Sequence, residues 1–126
     1  MMPEMEWTRR KAAVIALAAW AGTPAAAVVE PMFGLIGKMT AVSGGRDELI
    51  SILLEGTGSM PGCRSYVVAR DAADENALWV TEVWDSKEQH RASLSLPAVK
   101  AAIAKGRPLI AAFGPSYETV PVGGVK

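Results

Sequence analysis

The sequence ALWVTEVWD, residues 77–85, decides the fold class. Its β-branched and aromatic residues are typical of a strand, and side chains alternate between the two faces of a strand. One face carries Leu78, Val80 and Trp84, and the other carries Trp79 and Val83. An antiparallel sheet that helices cover on one side usually has a polar second face. Because both faces are apolar here, we expect a second sheet to cover the outer one, which predicts that two chains pair sheet against sheet.

Three elements are predicted before this strand. MFGLIGKMTAV (32–42) and CRSYVVARD (63–71) have the composition of strands. Between them, RDELISILLEGTGSM (46–60) combines leucine and isoleucine at helical spacing with acidic residues in its first turn. This pattern predicts an amphipathic helix that faces a core and that Gly56 or Gly58 ends.

Two helices and a strand are predicted after it. A cap at Asp85 or Ser86 predicts a short helix to about Leu94. A proline in the first turn and a terminal glycine predict a second helix in PAVKAAIAKG, residues 97–106. The connection that follows has an uncertain form, and SYETVPV (116–122) reads as the last strand. The order βαββααβ predicts a ferredoxin-like α+β sandwich.

The composition excludes several classes of function. The chain has 126 residues, with 13 basic and 13 acidic side chains, so its formal net charge is zero and it has no basic field for nucleic acid. One histidine and one cysteine cannot form an internal disulfide or a zinc site of the usual kind. The glycine-rich loops of nucleotide-binding proteins do not occur.

Residues 1–31 differ from the domain expected at 32–126. A basic cluster, an apolar run and small residues follow one another as TRRK (8–11), AAVIALAAWAG (12–22) and TPAAA (23–27). This is the order of a secretory signal, and its paired arginines favour a twin-arginine type. The run is too short for a membrane span, which needs about 20 residues. We expect either a periplasmic protein cleaved after Ala27, or a cytoplasmic protein in which translation starts at Met32 or residues 1–31 form an N-terminal appendage.

Three stretches resemble one family. FGLIGKMTAVSGGRDELISILLEG, MPGCRSYVVARD and WVTEVWDSKEQHRASLSLPAVKAAI are similar to the antibiotic biosynthesis monooxygenases, also called quinol monooxygenases. The resemblance covers residues 33 to about 113, and the elements PGC-x-SY and E-x-W-x-S carry it. It implies a dimeric α+β barrel that oxidises polycyclic phenols or quinols with molecular oxygen and needs no metal or flavin. The same fold occurs in haem-degrading enzymes.

The resemblance bears on the only histidine of the chain, His90. Much of the family has histidines near the positions of Ser93 and Ala98, which this chain lacks. His90 precedes Ser93 by slightly less than one helical turn of about 3.6 residues, so it lies on nearly the same face. An imidazole titrates near neutral pH and suits a catalytic base. The alternative is a solvated helix residue.

Glu82 is the second candidate base. Regular alternation places it on the face of Val80 and Trp84, among apolar neighbours. A carboxylate there has either a raised pKa or a basic partner. The alternative is a structural ion pair, with Lys38 or Arg64 as the partner.

Six further residues are candidates for substrate binding. Trp84 could stack on an aromatic substrate, Tyr66 could donate its hydroxyl, and Arg64 could hold an anionic intermediate. Met39, Met60 and Phe113 would line the pocket. Each of the six could equally serve packing or the surface.

The function expected is that of a cofactor-independent monooxygenase that oxidises a quinol or polyphenol with O2 as a homodimer. The alternative is a non-catalytic small-molecule-binding or stress-related dimer of the same fold. A third possibility is haem degradation, with His90 as the axial ligand.

Overall fold

The computed structural model describes residues 30–124, so the predicted leader lies outside it apart from its last two residues. The strands are β1 (Phe33–Ala41), β2 (Cys63–Arg70), β3 (Ala77–Trp84) and β4 (Ile110–Thr119). The helices are α1 (Arg46–Gly56), α2 (Lys87–Ser93) and α3 (Pro97–Gly106), and a 3₁₀ turn (Arg107–Leu109) precedes β4. None of the helices described is long and apolar enough to cross a membrane.

The four strands form one antiparallel sheet in the order β2-β3-β1-β4. This order and the βαββααβ succession confirm the predicted ferredoxin-like α+β fold. β3 and β1 are the central strands, so a polar side chain in the middle of β3 has sheet neighbours on both sides.

The helix ends follow local signals in the sequence. Ser86 caps α2, because its Oγ accepts a hydrogen bond from the backbone N–H of Gln89 at 3.2 Å. Pro97 stands in the first turn of α3, and Gly106 is its last residue, as expected. Gly44 has a φ of 78°, a conformation that suits glycine, in the turn from β1 to α1.

The last strand differs from its prediction. It runs over Ile110–Thr119 rather than 116–122, so most of the connection of uncertain form belongs to the sheet. Gly114 and Pro115 read as strand breakers, but β4 is an edge strand of this sheet, where proline is tolerated. Register shifts in its pairing with β1 accommodate the irregular stretch.

The two faces of the sheet have different surroundings. The helix face packs on α1 through a buried core of Ala41, Leu49, Leu78 and Val80. The other face, called the outer face below, carries Ile36, Val67, Trp79, Val83 and Tyr117. Val67 and Tyr117 remain 53% and 56% exposed, so residues 30–124 leave apolar side chains of the outer face uncovered.

Candidate active site

Glu82 lies on the helix face in the middle of β3, and its side chain is only 13% exposed. The indole Nε1–H of Trp84 donates a hydrogen bond to Glu82 Oε1 at 2.8 Å. Burial raises the pKa of Glu82, while the hydrogen bond from Trp84 and the nearby His90 oppose this rise. The carboxyl group is therefore partly desolvated, and two identified partners favour its ionised form.

His90 projects from α2 towards this carboxyl group. Its Nε2 lies 3.8 Å from Glu82 Oε1, and its side chain is 21% exposed. The centroid of the imidazole ring lies 5.2 Å from that of the Phe33 ring and 5.5 Å from that of the Trp84 ring. The imidazole and the Trp84 ring meet in a T-shaped arrangement. The interpretation of His90 as a solvated helix residue is therefore wrong, because two aromatic rings and a carboxylate surround it.

The neighbouring backbone of α2 is also held. The hydroxyl of Ser93 donates to the carbonyl oxygen of His90 at 2.6 Å, and Ser93 is buried. Both residues thus lie on the side of α2 that faces the sheet, as their spacing predicted.

The expected ion pair of Glu82 with Lys38 or Arg64 is wrong. Lys38 pairs with Trp79 in the β1–β3 register and therefore lies on the outer face, where its Nζ is 3.8 Å from Asp71. Arg64 falls in a register shift at the start of β2, and its Nε pairs with Asp85 at the surface. Neither cation faces the carboxylate, because one is on the wrong face and an irregularity turns the other away.

Tyr66 lies directly opposite Glu82 in the pairing of β2 with β3. Burial raises the pKa of its hydroxyl, and the charge of Glu82 raises it further. The phenol therefore stays protonated at neutral pH and can donate a hydrogen bond. Burial also raises the pKa of the Cys63 thiol, which disfavours the nucleophilic thiolate.

Two apolar cavities lie on the helix face. The first, called the glutamate cavity, has a volume of about 220 Å³, and its walls include Met39, Tyr66, Glu82 and Phe113. The second, called the helix cavity, has a volume of about 480 Å³ between α1, α3 and β4. Its walls include Leu49, Leu53, Ile103 and Arg107, and it shares Met39 and Phe113 with the glutamate cavity.

Three predicted binding residues lie outside both cavities. Trp84 is 1% exposed and contacts Glu82 and His90 instead of offering an open ring face. Arg64 lines a separate surface groove with Ser65. Met60 forms the turn before β2, where its carbonyl oxygen accepts from the N–H of Cys63.

Sequence reasoning missed Phe33 and Arg107. Phe33 shares the alternation of Met39 along β1, so its contact with His90 was accessible from the strand pattern. Arg107 lies in the connection whose form the sequence did not specify, and no comparable signal was available for it.

Comparison with known proteins identifies the family. The family model for antibiotic biosynthesis monooxygenase matches residues 32–105, which is more than half of the chain. The chain belongs to the antibiotic biosynthesis monooxygenase family. The crystal structure of a candidate member from Chloroflexus aurantiacus J-10-fl is 66% identical, with a TM-score of 0.74 over 75% of this chain and 97% of that one. The curated proteins include no significant match.

More distant structures share the fold. A candidate family member from Caulobacter crescentus CB15 is 20% identical, with a TM-score of 0.68 over 75% of this chain and 93% of that one. A Mycobacterium tuberculosis protein is 19% identical, with a TM-score of 0.63 over 75% of this chain and 99% of that one. Family membership and the neighbour at 66% identity support a monooxygenase-like role.

Proposed function

We propose that this family member is a cofactor-independent monooxygenase that oxidises a quinol or polyphenol with molecular oxygen. The proposal rests on the buried Glu82 carboxylate, whose Oε1 lies 3.8 Å from His90 Nε2. Glu82 also lines an apolar cavity and His90 does not, so a phenol bound there is placed beside Glu82, with His90 next to the carboxylate. Pairs of titratable groups in a partly desolvated cavity are typical of acid–base sites.

The first step is proton transfer from the phenol to His90 by way of the Glu82 carboxylate, which lines the cavity and lies next to the imidazole. The imidazolium that forms lies beside the Glu82 carboxylate, which stabilises its positive charge. The hydrogen bond from Trp84 Nε1 holds that carboxylate and favours its ionised form. Tyr66, across the strand pair from Glu82, donates its hydroxyl to the phenolate oxygen.

The phenolate then reacts with oxygen. It passes one electron to O2, which gives an aryloxyl radical and superoxide, and the two combine to form a carbon–oxygen bond. The peroxide takes up a proton and loses water, and one oxygen atom remains as a carbonyl. For a phenol with an unsubstituted ring carbon opposite its hydroxyl, phenol plus O2 gives quinone plus water.

We also propose that the protein acts as a homodimer paired through the outer face. The exposed apolar side chains Val67 and Tyr117, together with Ile36, Trp79 and Val83, support this arrangement. Exposed apolar patches of this kind are typical of protein–protein interfaces.

Oxygen uptake with naphthoquinols and with 1-naphthol as substrates tests the activity. Because general-base catalysis typically contributes about 10²–10⁴-fold, His90→Ala should slow uptake by that order. Arg91→Ala is the matched control, since Arg91 is exposed on the same helix and pairs with Glu88. His90→Gln should not restore the rate, because an amide does not accept the proton usefully.

Two outcomes contradict the proposal in different ways. Full activity of His90→Ala would mean that the base is elsewhere, and Glu82 would be tested next. Oxygen uptake that never exceeds the rate without enzyme, together with tight binding of the phenol, would favour the non-catalytic binding dimer.

A further inference from the structure

We infer that Arg107 makes the site selective for aromatic substrates that carry a carboxylate at the end remote from the reacting phenol. The inference rests on the proposed function for the location of the reacting end, at Glu82. It concerns the helix cavity, which has no part in the proton transfer proposed above.

The two cavities have shared walls. Met39 and Phe113 line both, and the walls of the helix cavity are otherwise mostly aliphatic. Phe113 is 75% exposed and Met39 is flexible, so neither forms a rigid, tightly packed partition. A ligand of two or more fused rings can therefore lie across both cavities, with its apolar body between these side chains.

The polar groups relevant to this ligand belong to different cavities. Tyr66 and Glu82 line the glutamate cavity, and Arg107 lines the helix cavity. A mostly apolar pocket with a few placed polar groups fixes the orientation of its ligand. A phenol beside Glu82 therefore directs the opposite end of the ligand towards Arg107.

The guanidinium of Arg107 is available for an anion. Among residues 30–124, no carboxylate forms an ion pair with it. Lys38 is also among the residues around the glutamate cavity, but it lies on the outer face of the sheet, where its ammonium is 3.8 Å from Asp71. Because a planar guanidinium matches the two oxygens of a carboxylate, a terminal carboxylate is the group that Arg107 fits best.

Calorimetric titration of the full chain at pH 7 with two matched ligands tests the inference. The ligands are 6-hydroxy-2-naphthoate and its neutral methyl ester, which differ in charge while the phenol and ring system are the same. Because Arg107 is exposed, the ion pair is partly screened, and the acid should bind about threefold to tenfold more tightly than the ester. Arg107→Gln should abolish this preference by weakening the binding of the acid.

Lys105→Gln is the control for net charge, since Lys105 lies two residues away and is not part of either cavity wall. This variant should keep the preference for the acid. Equal affinities of the wild type for acid and ester would overturn the inference, as would a preference that survives in Arg107→Gln or failure of both ligands to bind.

The titration is done under nitrogen, so it does not depend on turnover. A preference that requires Arg107, without oxygen uptake on any phenol, would support the inference and contradict the proposed function. Oxygen uptake that requires His90, without a preference for the acid, would do the reverse.

Discussion

Replacing Trp84 with Phe tests whether the indole N–H stabilises an ionised carboxylate. The change keeps an aromatic ring in the core and removes the hydrogen bond from Nε1 to Glu82 Oε1, which measures 2.8 Å. A hydrogen bond to a charged group contributes about 1.5–3 kcal/mol, and one between neutral groups contributes about 0.5–1.5 kcal/mol. The cost of the lost ring volume is the same in both cases, so the protonation state of Glu82 decides the difference.

The pH dependence follows from the direction of the Glu82 shift. Burial raises the pKa of Glu82 above its unfolded value, so the folded state holds this proton more tightly than the unfolded chain does. The stability from this tighter proton binding is fully present below the unfolded pKa and is lost as pH rises through the folded pKa. The bond from Trp84 limits that loss. Trp84→Phe should therefore lower the free energy of unfolding by about 1–2 kcal/mol more at pH 7 than at pH 4.

Urea unfolding followed by circular dichroism, at one protein concentration and at both pH values, measures this difference. Trp79→Phe is the matched control, because Trp79 Nε1 donates to Asp71 Oδ2 at 2.8 Å. That hydrogen bond is the main cause that lowers the pKa of Asp71 to about 2, so Asp71 is ionised at both pH values. The control should lose nearly equal stability at both, because the backbone N–H groups of Ala73 and Asp74 still lower the pKa of Asp71. An equal loss for Trp84→Phe at pH 7 and pH 4 would refute the reasoning.

Three further predictions concern the carboxylate, the dimer and the leader. Glu82→Gln should raise the urea midpoint at pH 7, because burial penalises the charge that the substitution removes. The same variant should slow oxygen uptake. An unchanged midpoint would contradict the desolvation of Glu82. Sedimentation should give the mass of two chains for the wild type and the mass of one chain for Val67→Glu on the outer face. Leu54→Glu on α1 is the control and should still give the mass of two chains, because Leu54 and Val67 are similarly exposed. If residues 1–31 direct export, mass spectrometry of protein from its native host should find cleavage between Ala27 and Val28, and an intact Met1 would count against it.

The fold was predictable because local and long-range signals agree over most of the domain. Alternation in β3, the cap at Ser86 and the proline and glycine at the ends of α3 each specify one element within a residue or two. The last strand was shortened because Gly114 and Pro115 are read as breakers when the pairing partner is unknown. Whether a proline can be tolerated in a strand depends on its place at an edge of the sheet, and the strand order gives this place.

The site was only half predictable, for a reason that lies in the register. Alternation placed Glu82 correctly on the helix face, but its partners depend on which residues of β1 and β2 lie opposite. Regular alternation from Tyr66 would also place Arg64 on that face, and the register shift between Cys63 and Ser65 prevents this.

This local irregularity affects the proposed chemistry. An arginine beside Glu82 would hold the carboxylate ionised and compete with an imidazolium for it. With Arg64 turned towards Asp85, the nearby groups that favour the charge of Glu82 are the Trp84 indole and His90. An indole donates one hydrogen bond and carries no charge, so it orients the carboxylate without neutralising it. The charge of Glu82 therefore remains available to the imidazolium that proton transfer creates, and for this reason we treat Glu82, Trp84 and His90 as one functional unit.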